Sequence, residues 1–239
     1  MIRSRTGLLV LAVFLLALIA TFPLRLAVGL AAPTGSLFVA RSAEGSVWNG
    51  MLRDVSFDTV SVGDFSARLS IWPLFAGKFA IKLQNLSDPA MRGTMLATEG
   101  LVTAGAFGVS DLRATIALPG AFDPLPVESL ELTDANVLFS GAKCSAASGR
   151  AQITLAKTVP GINPGQILSG TLRCDGQTLG LHLSSAADTE RLVLRIAADG
   201  HYSAKFTVRA QDQALAAGLL ASGFRESPAG YVQDLSGHF

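Results

Sequence analysis

The sequence predicts a mainly β protein behind a single N-terminal transmembrane helix, and three observations support this fold class. A continuous apolar stretch lies near the N-terminus, and the first acidic residue of the chain is Glu44. Beyond residue 32, apolar and polar residues alternate in short runs, which is typical of half-buried strands. Turn-forming pairs such as Pro119-Gly120 and Asp199-Gly200 separate these runs. We therefore expect an antiparallel, curved β-sheet followed by one short helix near the C-terminus.

The N-terminal stretch is the first element. Its apolar run extends from Gly7 to Phe22, or roughly 24 Å of helix at about 1.5 Å per residue. Leu24 lengthens the run toward the length of a membrane crossing. Arg3 and Arg5 precede it and should remain in the cytoplasm. The sequence thus predicts a cytoplasmic tail over 1–6, a transmembrane anchor and membrane exit over 7–31, and a domain outside the cytoplasm over 32–239.

A cleaved signal peptide is the alternative interpretation of this stretch. Small residues at 27–29 and 30–32 have the spacing that signal peptidase prefers. Pro23 and Arg25 lie between the apolar run and those positions, and a charge there makes a poor cleavage region. We therefore favour the uncleaved anchor.

The strands follow from alternation with a period of two. Phe65, Ala67, Leu69 and Ile71 alternate with polar residues, and later runs repeat the pattern at Phe79–Leu83, Leu130–Phe139, Ile153–Leu155, Leu179–Leu183, Leu192–Ile196 and Phe206–Val208. A helix is predicted over Gln211–Ser222, ending at Gly223, with Leu215, Leu219 and Leu220 as its buried stripe. Its expected role is to cover an open sheet edge. Breaks between two lobes are predicted near 119–126 or 160–165.

Composition excludes some function classes. The formal net charge is +1, and the arginines near the N-terminus leave the remainder slightly acidic. A nucleic-acid-binding domain would instead carry a basic stripe. Only 15% of the residues are charged and 49% are hydrophobic, which suits an envelope domain with large apolar faces. We expect no nucleic-acid partner and no cofactor.

The chain has two cysteines, Cys144 and Cys174. Outside the cytoplasm an isolated pair usually forms one disulfide, and two separate buried thiols are the alternative. Two cysteines with three scattered histidines are too few for a zinc site, so no metal is expected. No nucleophile motif, phosphate loop or paired-carboxylate helix is present, so we expect no catalytic residues. His182 falls in the polar phase of a strand and is interpreted as solvent-facing or structural rather than functional.

Two short segments carry a family resemblance. They are Gly45-Ser46-Val47-Trp48-Asn49-Gly50 and Ile71-Trp72-Pro73-Leu74-Phe75-Ala76-Gly77. Together with the Phe22-Pro23-Leu24 exit, Cys144, the Gly170–Cys174 run and the Gly230–Gly237 pattern, they resemble the type II secretion system protein N family. The resemblance covers the whole chain in order, and it implies structural-motif roles for Gly45, Trp48, Gly50, Trp72, Pro73 and Gly77.

The resemblance implies a non-enzymatic inner-membrane component of the general secretion pathway, with residues 32–239 in the periplasm. Its partners would be inner-membrane platform proteins, with the secretin as a further candidate. The segment Ile71–Gly77 also resembles AsmA-like envelope proteins, so a lipid or lipopolysaccharide carrier is the alternative function. An open apolar face would favour the carrier, and a face filled by its own side chains would favour the secretion component. A cell-wall enzyme is a further rival, and it would need a cluster of polar groups that the sequence lacks.

Each tryptophan has two possible roles. Trp48 lies between Gly45 and Gly50 and is expected to be a core aromatic at the start of the sheet, or else a contact with the membrane interface. Trp72 precedes Pro73 and is expected to turn the chain into the next hairpin, or else to contact a partner.

Overall fold

The computed structural model describes residues 10–11, 13–14, 17–26, 38–57, 60–70, 72, 78–87, 92–98, 105–118, 125, 127–155 and 166–238. These residues are mainly β, as the alternating pattern predicted. The strands are β1 (Phe38–Ser46), β2 (Asn49–Phe57), β3 (Val60–Leu69), β4 (Lys78–Asn85), β5 (Arg92–Thr98), β6 (Ala106–Ala117), β7 (Val127–Ser140), β8 (Lys143–Leu155), β9 (Ile167–Asp175), β10 (Thr178–Ser184), β11 (Glu190–Ile196), β12 (His201–Val208), β13 (Arg225–Ser227) and β14 (Gly230–His238).

All described strands belong to one antiparallel sheet. Their order is β1-β2-β3-β4-β5-β6-β7-β8-β9-β10-β11-β12-β14-β13, so nearly every strand pairs with its neighbour in the chain. Only the last two strands exchange places. This meander puts successive hairpin turns alternately at the two ends of the sheet. We call β1–β5 the N-terminal half and β6–β14 the C-terminal half.

The alternation of side chains explains which face of the sheet is buried. In β10, Leu179, Leu181 and Leu183 are buried, whereas His182 between them is partly exposed on the opposite face. Leu181 lies opposite Leu194 of β11, so the apolar residues of neighbouring strands share one face. Successive side chains of a strand point to opposite faces, and this sequence pattern therefore fixes the register.

The side chains that the structure describes form two separate clusters of buried apolar residues. The cluster of the N-terminal half contains Leu24, Val47, Leu52, Val55, Phe65 and Ala67. The cluster of the C-terminal half is larger, and its most buried large side chains are Phe206, Ile153, Leu155, Leu168, Leu219 and Val208. The ladder continues from β4 through β5 to β6, and the described side chains of β1–β4 and of β6–β14 fall into different clusters.

The sheet of the C-terminal half is curved. A cavity of only about 10 Å³ lies between side chains of β7–β8, such as Val127 and Ile153, and side chains of β11–β12, such as Leu192 and Ala204. Strands β8 and β11 are three places apart in the sheet, or roughly 14 Å at about 4.8 Å per strand if the sheet were flat. Their side chains can line one small cavity only because the sheet bends toward its apolar face. This interior is filled by the protein's own side chains.

Aspartates in the left-handed backbone region mark bulges in three strands. Asp54 of β2, Asp111 of β6 and Asp134 of β7 have φ of 48°, 51° and 51°. The pairing register shifts at each of these positions. Aspartate tolerates this conformation better than most residues, and a bulge bends its strand and increases the local twist. The bulges therefore contribute to the curvature of the sheet.

The predicted C-terminal helix is present as α1 (Gln213–Ala221). The Asp212 side chain caps it by accepting a hydrogen bond from the Leu215 N–H at 2.7 Å, and Gly223 ends it at φ +90°. Leu219 is fully buried and Leu215 packs beside it, but the prediction for Leu220 was wrong, because that side chain is half exposed. Leu215 and Leu219 are one turn apart and face the sheet at β13 and β14, whereas Leu220 is turned away by about 100°.

Part of the N-terminal stretch is also described. Residues 10–11, 13–14 and 17–20 are helical. Within the part of the chain that the structure describes, no helix combines the length and apolar character needed to cross a membrane. The remaining positions of the predicted anchor over 7–31 lie outside the described residues. The same holds for the predicted lobe breaks at 160–165 and at 119–126, apart from the buried Leu125.

Candidate functional site

The β1–β2 turn contains the glycine and tryptophan motif and forms the first part of the candidate site. Gly45 has φ +81°, and a Cβ there would lie 2.6 Å from the Asn49 carbonyl oxygen. Only glycine fits this position without strain, because the left-handed region and the close backbone both exclude a side chain. The motif therefore makes a tight turn that places the buried Val47 and the partly buried Trp48 at the end of the sheet.

Trp48 connects this turn to the end of the N-terminal helical stretch. Its indole Nε1–H donates to the Ile19 carbonyl oxygen at 2.9 Å, across 29 positions of sequence. The Val47 N–H donates to the Phe22 carbonyl oxygen at 3.0 Å, and Pro23 forms a β-bridge with Ser46. The Ile19 carbonyl oxygen also accepts from the Phe22 N–H at 3.3 Å, so Trp48 adds a second donor at the end of the helical stretch.

Leu24 completes the contact by packing on Gly50. Leu24 is only 5% exposed and belongs to the apolar cluster of the N-terminal half. A Cβ at Gly50 would collide with the Leu24 side chain and would lie 2.8 Å from the Ser46 carbonyl oxygen. Glycine at position 50 is therefore required by space. We call residues 45–50 together with residues 19–24 the Trp48 clamp.

Trp48 was predicted to be a core aromatic or else a contact with the membrane interface, and the structure shows packing of the first kind. The ring is partly buried against the N-terminal cluster, while its nitrogen is bonded to the helical stretch. Trp48, Gly45 and Gly50 are thus brought together with residues 19–24. Sequence analysis missed Leu24 as a packing residue, although its place just after Pro23 and before Arg25 marked the end of the apolar run.

Trp72 lies outside the clamp but at the same end of the sheet. It follows β3, whose last residue, Leu69, donates its N–H to the Val47 carbonyl oxygen at 2.9 Å. The Trp72 side chain is 85% exposed, the largest exposed fraction among the large hydrophobic residues that the structure describes. Pro73 and Gly77, the other motif residues of this segment, lie outside the described residues.

Cys144 and Cys174 are joined by a disulfide in the C-terminal half. Their Cα atoms are 5.6 Å apart, and the bridge links β8 to β9 beyond the last regular pair of that ladder, Arg150 with Thr171. The Cys144 N–H donates to the Gln177 carbonyl oxygen at 2.9 Å, which ties the same corner to the β9–β10 turn. The disulfide therefore joins the start of β8 to the end of β9, where no hydrogen-bonded pairs connect the two strands.

A charged cluster on the polar face surrounds Asp175. His182 Nε2 lies 2.7 Å from Asp175 Oδ2, and Arg195 Nε lies 3.2 Å from the same oxygen. Arg173 reaches Oδ1 at 3.5 Å. The hydrogen bond from His182 is the main cause that lowers the pKa of Asp175, with smaller contributions from the charges of His182, Arg195 and Arg173 against an opposing desolvation. Gly180 leaves room for this cluster, because a Cβ there would lie 3.0 Å from the carboxylate.

The Asp175 cluster connects β9, β10 and β11 through side chains. All three basic groups point to one carboxylate, and the motif residues of the clamp lie in the other half of the molecule. A group of three or more histidine, cysteine or acidic side chains arranged for a metal ion does not occur within the described ranges. The cluster therefore acts as a cross-strand ionic contact on the polar face.

Comparison with known proteins identifies the family of this chain. The family model described as "Type II secretion system (T2SS), protein N" matches residues 38–233, which spans β1 to the middle of β14. Searches of curated proteins and of solved structures find no match. The matched region includes the β1–β2 turn of the Trp48 clamp, the segment around Trp72 and both cysteines. The chain therefore belongs to the protein N family of the type II secretion system.

Proposed function

We propose that this protein is a non-enzymatic, membrane-anchored scaffold of the type II secretion machinery. It would assist the export of folded periplasmic proteins across the outer membrane. Family membership indicates a part in type II secretion and in its envelope complex. The observation that carries the finer proposal is the Trp48 clamp, because it joins the sheet directly to residues 19–24. Through this contact, the sheet has a fixed position relative to the proposed membrane anchor.

The anchor is the first part of the proposal. We assign residues 1–6 to the cytoplasm, residues 7–31 to a single pass and the exit from the inner membrane, and residues 32–239 to the periplasm. Described apolar side chains of the helical stretch are exposed, namely Val10, Leu11, Val13, Phe14, Leu18 and Ile19. A row of exposed apolar side chains is unfavourable in water and favourable in lipid. This exposure supports a membrane environment.

The scaffold role is supported by a difference between the two edges of the sheet. At one edge, β13 has only three residues, and α1 lies against β13 and β14. At the other edge, β1 has nine residues and pairs with β2 alone among the described strands, apart from the bridge from Pro23 to Ser46. A long edge strand offers main-chain donors and acceptors to another chain. We propose that β1 receives a strand from a neighbouring secretion subunit.

Proline substitutions in β1 test this edge. In an antiparallel pair, successive residues direct their N–H groups alternately toward and away from the partner strand. Ser42→Pro and Ala43→Pro therefore form a matched pair, in which one variant removes an outward donor and the other removes a bond to β2. We expect the variant that lacks the outward donor to keep native circular dichroism and to lose its neighbouring subunit in pull-downs. If that variant folds and still recovers the subunit, strand addition at β1 is wrong.

The alternative function, a lipid carrier, requires room for acyl chains. Ligand-binding cavities usually measure about 300–1,000 Å³. The cavity between β7–β8 and β11–β12 measures only about 10 Å³, since Val127, Ile153, Leu192 and Leu194 fill this interior. The interior between β7–β8 and β11–β12 thus supports a packed core more than a lipid groove. The carrier is retained as an outcome of the next experiment.

The test of the proposed function is a pull-down of the full-length protein from gently solubilised envelope, analysed by mass spectrometry. We expect recovery of inner-membrane platform proteins, with the secretin as a further partner. The Gly50→Ala variant, which disrupts the clamp, should reduce this recovery, and Gly176→Ala in the β9–β10 turn serves as the control. Recovery of lipid-transport components without any secretion subunit would overturn the proposal in favour of the carrier.

A further inference from the structure

Trp72 lies close to the Trp48 clamp even though it belongs to another connection. The Leu69 N–H is bonded to the Val47 carbonyl oxygen, so the end of β3 touches the β1–β2 turn. Trp72 follows Leu69 by three positions, which limits its backbone to about 10 Å from that contact at about 3.3–3.6 Å per residue. Both tryptophans are therefore held near the point where residues 19–24 meet the sheet.

Two exposed large apolar side chains lie close to the clamp. Trp72 is 85% exposed, and Leu26, which follows the buried Leu24, is 52% exposed. Arg25 between the two leucines is also exposed. Aromatic rings with a polar nitrogen and long cationic side chains are the groups that favour the boundary between hydrocarbon and water. The composition of this end therefore fits a lipid surface better than bulk water.

We propose that Trp72 lies in the headgroup region of a phospholipid bilayer, so that the sheet rests on the membrane with this end. The inference depends on the proposed anchor, because residues 19–24 determine which end of the sheet faces the bilayer. Trp48 fixes the helix end to the β1–β2 turn, and Trp72 adds a second contact after β3. Two contacts on different connections restrict rotation of the N-terminal half about the anchor, which a single tether would leave free.

The chain contains only two tryptophans, so fluorescence can test each contact separately. The full-length protein is placed in lipid nanodiscs made with phosphatidylcholine brominated on its acyl chains, and iodide is the aqueous quencher. Trp48→Phe leaves Trp72 as the sole tryptophan, and Trp72→Phe leaves Trp48. We expect the emission of Trp72 to fall in nanodiscs made with brominated lipid. Iodide should quench Trp72 less than it quenches free tryptophan in buffer.

A matched control places a tryptophan at the opposite end of the sheet from Trp72. Leu86 follows β4, is 45% exposed and lies at the far end from Trp72. The eight residues of β4 separate the two ends by about 26 Å at about 3.3 Å per residue. Leu86→Trp in a background lacking both native tryptophans should be quenched by iodide and not by brominated lipid.

The outcomes separate this inference from the anchor on which it rests. If brominated lipid quenches Trp48 but not Trp72, the anchor stands and the contact through Trp72 is wrong. If it quenches neither tryptophan and the protein does not float with lipid, the anchor itself fails. Trp48→Phe could disturb the clamp, so the response of Trp72 is also obtained without this variant. It equals the emission of the wild-type protein minus the emission of Trp72→Phe.

Discussion

The two halves of the sheet are stabilised in different ways, although their hydrogen bonding is continuous. Among the described side chains, the apolar cluster of the N-terminal half includes Leu24 from outside the sheet. The C-terminal half has a large cluster of its own, a disulfide and a helix-covered edge. Where the structure describes the side chains, one ladder of strands thus carries two different apolar clusters. We infer that the C-terminal half is the rigid part and that the N-terminal half depends on its attachment to residues 19–24.

The largest expected effect is the loss of a core ring in the C-terminal half. Phe206 is 1% exposed and packs edge-to-face on Phe224. Phe206→Ala should lower the free energy of unfolding by about 3–5 kcal/mol. Hydrogen exchange read by mass spectrometry should show reduced protection in β6–β14 only. Leu52→Ala in the N-terminal cluster is the control, and an equal loss of protection in both halves by either variant would show that they form one cooperative unit.

Removing the disulfide should have the next largest effect. The cysteines are separated by 30 positions, and loop closure of that length contributes about 3–4 kcal/mol in the chain-entropy treatment. Cys144→Ala with Cys174→Ala should lower the urea midpoint of the C-terminal half, and wild-type protein under reducing conditions should match the double variant. An unchanged midpoint in both would mean that the bridge does not stabilise the folded strand ends.

A smaller effect is expected when the clamp is disrupted. Gly50→Ala places a methyl group against Leu24 and the Ser46 carbonyl, and overpacking of this kind costs about 1–3 kcal/mol. Protection from exchange should fall in β1–β3 and remain in the C-terminal half. Gly176→Ala is the comparison, because its Cβ would meet nothing within 4 Å and only its φ of +63° is unfavourable. Native protection in Gly50→Ala would refute the dependence of the N-terminal half on Leu24.

The smallest effect is an acid dependence of the C-terminal half. The pKa of Asp175 is lowered on folding, first by the hydrogen bond from His182. A lowered pKa contributes stability above the unfolded value, about 3.9 for aspartate, and this contribution is lost as the pH falls through the folded pKa. The urea midpoint of β6–β14 should decline below about pH 4, and Asp175→Asn should flatten that decline. An unchanged pH slope in this variant would exclude Asp175 as a contributor.

The strands were largely predictable because their information is local. Leu179, Leu181 and Leu183 alternate with polar residues, and this period alone places them on the buried face. The helix α1 was predicted from its composition and its glycine stop, but the exposure of Leu220 depends on how the helix meets β13 and β14. Burial set by such a tertiary contact cannot be deduced from helical spacing alone.

The candidate site was predictable only in part. The motif residues Gly45, Trp48 and Gly50 stood out in the sequence, but the contact between Trp48 and Ile19 joins positions that no local pattern relates. The bulge at Asp134 was also missed, because nothing in the local sequence distinguishes an aspartate in the left-handed region from one in a regular strand. Gly149 faces that bulge with φ +121°, and its place inside a strand was the available signal.

The strand order has a consequence for the folding of the chain. From β1 to β12, each strand pairs with the one made immediately before it. A chain that emerges from a ribosome or a translocation channel with its N-terminus first can add each new strand to an edge that already exists. The entropy lost in closing each loop stays small, because few residues separate the partners. Each strand can thus pair as soon as it emerges. The exception is β13, which has no partner until β14 has paired with β12 and offers its other edge.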